Sequence, residues 1–169
     1  MQTTELRPHH NKPMPTLPPQ TENGARRRML DYLAAGPSGS AARRAATTVV
    51  LLVGAALVAT TGAIHLHLWA AGYRTIPTIG PLFLFQGIAG ASIAVAVVVA
   101  RRLLAVVAAA GFLVATIGGL LLSVYVGLFG FMDTLAAPFA GVSLAVESIG
   151  AVVLACGAIM LLMGRRSHP

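Results

Sequence analysis

Charge is scarce in this chain. Only 10% of its 169 residues are Asp, Glu, Lys or Arg, where a soluble domain carries about 25%. The deficit excludes an ordinary water-soluble fold, because too few charged side chains are present to cover a solvated surface. Cysteine occurs once, at Cys156, which excludes an intramolecular disulfide and any Cys-based zinc set. Its place deep in an apolar run reads as a small buried apolar residue. Aromatic residues are 6%, and none interleave with the arginines in a nucleic-acid-binding motif, so the net charge of +7 is not read as a nucleic-acid footprint. No nucleic-acid partner is expected. What is abundant is apolar: 56% of residues, with mean hydropathy +0.79.

Those apolar residues fall into four long runs, at about 46–69, 79–100, 103–131 and 138–163. Each exceeds the ~20 residues needed to cross a ~30 Å hydrocarbon core. The third is long enough to tilt, or to end in a turn at Gly127-Leu128-Phe129-Gly130. Loops this short make neighbouring helices antiparallel. The sequence therefore predicts an all-α membrane protein: an antiparallel four-transmembrane-helix bundle over 46–166, preceded by a basic, proline-rich tail over 1–45. Pro8, Pro13, Pro15, Pro18 and Pro19 among polar neighbours predict that the tail is disordered. Within it, Arg26 to Ala35 is suited to a short amphipathic stretch on a membrane surface, broken by Gly36-Pro37-Ser38-Gly39-Ser40. No soluble catalytic domain fits beside four spans. Arg43-Arg44 before the first run imitates an export signal, but the run is too long for one and is expected to remain as a span.

Basic residues assign the orientation. Of the 12, eleven lie in the tail, at Arg101-Arg102 or after the last span, and Arg74 alone lies on the other side. Both termini are thus expected in the cytoplasm. Arginine outnumbers lysine eleven to one and alanine is abundant, a composition that points to a GC-rich bacterial genome and hence to a bacterial cytoplasmic membrane. The lipid bilayer, other membrane proteins and further copies of the chain are the expected partners. Small residues at four-residue spacing (Gly111, Ala115 and Gly119; Gly87 and Ala91; Ala151 and Ala155) mark faces for close packing within the bundle or between protomers.

Glu147 is the residue that demands an account. It lies ~13 Å below the outer end of the last run at 1.5 Å per residue, where an ionisable group costs on the order of 3 kcal/mol. Gln86, Ser123, Tyr125, Ser143, His65 and His67 fall in the same outer half, so all four spans bring polar groups to similar depth. Such a patch is either an interhelical hydrogen-bond clamp or a site. An amide would clamp at lower desolvation cost than Glu147, which favours a site. His65 and His67 point about 200° apart on a helix and cannot both hold one metal, and no other span has a histidine to complete a haem. No metal or cofactor is expected.

The outer loop adds Trp69, Tyr73 and Arg74, with Asp133 opposite as a partner for Arg74 in an exposed pair. Pro77, Pro81, Gly72 and Gly80 predict a rigid re-entry. Trp69, Tyr73, Phe83, Phe129 and Phe131 form an interfacial aromatic belt. The string His65-Leu66-His67-Leu68-Trp69, then Gly72-Tyr73-Arg74, then Ile76 to Gln86 resembles small four-span membrane proteins of high-GC Gram-positive bacteria, and the plan is similar to that of DoxX-like four-helix proteins. The resemblance implies a four-helix integral membrane protein and brings no activity with it. The functional expectation is a non-enzymatic subunit or scaffold of a membrane assembly with a polar site in the outer half. The alternative is an oligomeric proton- or ion-coupled transporter or channel using Glu147. An enzyme ranks third, since no nucleophile motif or carboxylate cluster is present.

Overall fold

A computed structural model describes residues 22–165; residues 1–21, with Pro8, Pro13, Pro15, Pro18 and Pro19 and the disorder expected around them, and 166–169 lie outside the described part. Five helices follow in order: α1 (Glu22–Leu33), α2 (Ala41–Ala71), a 3₁₀ turn (Tyr73–Thr75), α3 (Ile79–Ala100), α4 (Leu103–Tyr125) and α5 (Ala140–Arg165). Helices α2 to α5 are each long and apolar enough to cross a membrane. At 1.5 Å per residue the shortest, α3, spans ~33 Å, which matches a ~30 Å hydrocarbon core. The chain is an all-α membrane protein of four antiparallel spans.

Two pieces of the segment read as tail are helical. α1 covers the amphipathic stretch, and the chain then drops out of helix before Ser40. Ser40 restarts it as the N-cap of α2, its hydroxyl accepting from the Arg43 N–H at 3.3 Å, so α2 begins at Ala41 rather than near 46. The link between them is tied down. Ala35 is buried, and its carbonyl accepts from the Leu103 N–H at 2.9 Å, which anchors the exit of α1 to the first residue of α4.

The third span stops at Tyr125 rather than running to 131. Leu128 and Phe131 exchange backbone hydrogen bonds at 2.7 and 2.9 Å around Phe129 (φ 52°) and Gly130 (φ 78°). Positive φ at both central residues is the signature of a type I′ turn. The helix itself ends just before it, where Gly127 (φ 89°) turns left-handed and its N–H joins that of Val126 on the Leu122 carbonyl.

Around the bundle the order is α3, α2, α5, α4. The α2–α3, α2–α5 and α4–α5 pairs are tight, while α3 and α4 form the loosest neighbouring seam. Glycines explain the tight pairs. A Cβ on Gly62 would lie 3.0 Å from the Gly87 carbonyl oxygen, and one on Gly90 would lie 3.0 Å from the Gly62 Cα. The α2 and α3 backbones therefore touch, as small residues permit in membranes. Elsewhere leucines fill glycine notches: Leu154 sits over Gly54, Leu51 over Gly157 and Leu113 over Gly150. The expected series Gly111, Ala115 and Gly119 does not pack the bundle, since a Cβ at Gly111 or Gly119 would meet nothing within 4 Å. Periodicity marks a smooth face but cannot say which neighbour covers it.

Leu51, Val58, Val97, Val106, Leu113, Leu154 and Leu161 build the core. All but Val58, which sits near mid-bundle, occupy the half nearer Arg43, Arg44, Arg101 and Arg102, here called the basic end. Val95, Val99, Val114, Ile149 and Val152 point outward, which is the placement lipid requires. Cys156 is also exposed on the outer surface rather than buried. It is apolar enough to face acyl chains, so its place in an apolar run carried no information about which side it faces.

Candidate functional site: a polar cleft in the loop half

The opposite half of the bundle has a different interior. A cavity of about 100 Å³ lies there, lined by side chains from all four spans, the 3₁₀ turn and the loop before α5. Its polar groups are spaced by helix geometry. On α5, Ser143 and Glu147 are one turn apart and face inward. The Ser143 hydroxyl donates to Glu147 Oε1 at 2.8 Å. Glu147 is 1% exposed, and its second oxygen, Oε2, has no hydrogen-bond partner. It lies ~10 Å from the first residue of α5.

On α4 the wall repeats at Thr116, Gly119, Leu120 and Ser123, which is one helical stripe. The Thr116 hydroxyl donates to the Leu113 carbonyl at 2.8 Å. Ser123 is buried and its hydroxyl is unpartnered. Gln86 comes from α3 and His65 from α2. The His65 ring is buried, with Nδ1 2.8 Å from the Thr61 carbonyl oxygen. A carbonyl only accepts, so Nδ1 carries the proton and donates. In the neutral ring Nε2 is then left as an acceptor.

The mouth is aromatic. Tyr73 stacks on Phe83 with centroids 4.7 Å apart and meets Phe131 edge-on at 5.9 Å. His65 packs against Phe83 at 5.1 Å. Phe139 adds a further wall. Asp133 lines the mouth as well. Its backbone N–H donates to the Ser123 carbonyl at 3.3 Å, folding the loop over the end of α4, while its Oδ1 accepts from the Thr134 N–H at 2.8 Å. Burial pushes the Tyr73 phenol above its ordinary value, and the charge of Asp133 raises it further.

The cleft thus gathers Glu147, Gln86, His65, Ser123 and Ser143 from the polar set expected at this depth, with Tyr73 and Asp133 from the outer loops. It omits four residues. His67 is exposed, two residues from His65 and so on another side of α2; its ring lies edge-on to Phe139 at 5.2 Å. Tyr125, two residues past Ser123, turns away and is 71% exposed. Trp69 and Arg74 do not line it. Arg74 forms no ion pair with Asp133 among the described residues. The 3₁₀ turn that carries it is fixed by Thr75 bonding back to the Gly72 carbonyl and by the Arg74 backbone lying against Gly80. Arg74 itself is exposed.

Thr116 was not anticipated. Its signal was present, since it precedes Ser123 by seven residues and so shares its face. The rings of Phe83 and Phe131, read as an interfacial belt, also serve as cleft walls. No group of three or more His, Cys, Asp or Glu able to hold a metal occurs among the described residues. Compared with known proteins, the chain matches no family model, no curated protein and no solved structure.

Proposed function

We propose that this is a non-enzymatic subunit of a membrane assembly that works by binding, with the loop-half cleft as its receptor site. One observation carries the reading. Glu147 is almost wholly buried inside a cavity, with one oxygen given to Ser143 and the other to nothing. A clamp would pair both oxygens across helices, because an unpaired buried polar atom costs about 1–3 kcal/mol. Its hydrogen bond to Ser143 stays within its own helix, and the Thr116 hydroxyl beside the carboxyl on α4 gives its proton to the Leu113 carbonyl instead. The arginine distribution supports a bacterial cytoplasmic membrane with both termini inside, which puts the cleft in the outer half.

The alternative, an oligomeric proton- or ion-coupled carrier using Glu147, needs a path through the basic half. There Leu51, Leu113, Leu154 and Leu161 are at most 1% exposed and fill the interior, which favours binding over conduction.

Filling the cleft tests the proposal. Gly119 lines it and a Cβ there meets nothing within 4 Å, whereas neighbouring Gly118 is equally open but lies outside it. Wild type, Gly119→Leu and Gly118→Leu are purified from native membranes in mild detergent, and co-purifying molecules and proteins are identified by mass spectrometry. The expected result is that Gly119→Leu alone loses what wild type carries. Retention by Gly119→Leu of everything wild type carries would refute the cleft as the working part. Proton-coupled flux in liposomes that Glu147→Gln abolishes would favour the carrier instead.

A further inference from the structure

Resting on that binding reading, we propose that the ligand is a lipophilic organic cation. Its ammonium head is held at Glu147, and its apolar or aromatic body lies among the Phe83, Phe131 and Phe139 rings.

Charge is the first argument. Among the described residues two carboxylates line the cleft, Glu147 at its floor and Asp133 at its mouth, and no lysine or arginine does. An ionised carboxylate in a low-dielectric interior must be neutralised by a cation or a proton, and the described residues that line the cleft supply no lysine or arginine. Two acids in a cleft with apolar walls also focus a field that draws positive charge inward.

Hydrogen-bonding capacity is the second. Glu147 Oε2 is an acceptor without a donor, inside the cavity, on a side chain that is 1% exposed. His65 gives its Nδ1 proton to the Thr61 carbonyl, so what the neutral ring offers the cleft is the lone pair of Nε2. The Ser123 hydroxyl is unpartnered as well. Oε2 and Nε2 can only accept from the ligand, which suits an ammonium group, and the Ser123 hydroxyl is free to accept as well.

The walls supply the third. Aromatic faces attract cations, and the Tyr73, Phe83 and Phe131 rings are already locked together at the mouth. An inorganic divalent cation fits poorly, because it takes six or more oxygen ligands and no cluster of three His, Cys, Asp or Glu is found among the described residues. The cavity, about 100 Å³, is smaller than the ~150 Å³ that holds benzene. It therefore takes a small head, with the body extending into the mouth. The loose α3–α4 seam is the side from which an amphiphile dissolved in the bilayer reaches it.

The probes are benzylammonium, protonated at pH 7, and its uncharged carbon isostere, ethylbenzene. Binding to full-length protein in neutral detergent micelles is measured by ligand-observed NMR and thermal shift, on wild type, Glu147→Gln, Glu147→Asp and Gly119→Leu. The expected result is saturable binding of the cation with the isostere at least tenfold weaker. Glu147→Gln should lose at least tenfold in cation affinity with no change for the isostere, Glu147→Asp should keep part of it, and Gly119→Leu should lose both. The wild-type comparison of the two probes needs no variant, so it decides even where Glu147→Gln fails to fold. Equal binding of the isostere, abolished by Gly119→Leu, overturns the cation and leaves the cleft standing. Cation binding that survives Gly119→Leu places the cation elsewhere and overturns the proposal. No cation binding also overturns it, and the co-purification experiment then judges the cleft separately.

Discussion

Replacing Glu147 by methionine is expected to leave the ligand-free bundle as stable as wild type, or more so. The two side chains are similar in length and volume, so the packing around position 147 is kept. The change removes one hydrogen bond, from the Ser143 hydroxyl at 2.8 Å. Side-chain hydrogen bonds within membranes average ~0.6 kcal/mol, and a serine hydroxyl on a helix readily bonds back to the carbonyl one turn earlier. Against that small loss stands the removal of Oε2, which is buried without a partner, an arrangement costing about 1–3 kcal/mol. The balance runs from neutral to about 2 kcal/mol stabilising. Ser143→Ala should do the opposite. It strips the Ser143 donor from a buried carboxyl oxygen, at a cost of about 1–3 kcal/mol. Reversible unfolding in mixed micelles, followed by Trp69 fluorescence and helical circular dichroism, measures both. A loss above ~2 kcal/mol for Glu147→Met would mean that the carboxyl holds the helices together, and the reading of a site kept at the expense of stability would fall.

Two further outcomes follow from the packing and the mouth. Gly62→Leu should destabilise the bundle by about 1–3 kcal/mol, since even its Cβ meets the α3 backbone at 3.0 Å, whereas Gly111→Leu, open on every side, should be near neutral in the same assay. Tyr73 should ionise above the ordinary phenol range in a spectrophotometric titration taken as the difference from Tyr73→Phe. Asp133→Asn should lower its value without restoring it fully, because burial is the larger cause and the charge of Asp133 the smaller. A phenol with a raised folded value contributes stability that is fully present below its unfolded value, near pH 10, and is lost as pH rises through the folded value. Wild type should therefore lose more stability than Tyr73→Phe above that point.

Sequence alone settled the class of the molecule. Four apolar runs of sufficient length admit one solution in lipid, because each backbone polar group must bond within its own segment. Helix rise placed Glu147, Gln86, Ser123, Ser143 and His65 in the same outer half, because depth is linear in residue number. Which polar residues meet is not linear. His67 and Tyr125 lie as deep as their neighbours, but two residues along a helix is over half a turn, and the rotation of each helix is set by glycine notches such as Gly62 against Gly87 and Gly54 against Leu154. The fate of Asp133 was equally tertiary. Charge complementarity suggested Arg74, but the loop bonds back to Ser123 and carries Asp133 to the cleft. The cleft exists because leucine and valine fill the interior of the basic half while the loop half is left with polar groups and aromatic rings. A pattern of residue types marks those two halves, and only the packed helices turn the second into a cavity around an unpaired carboxyl oxygen.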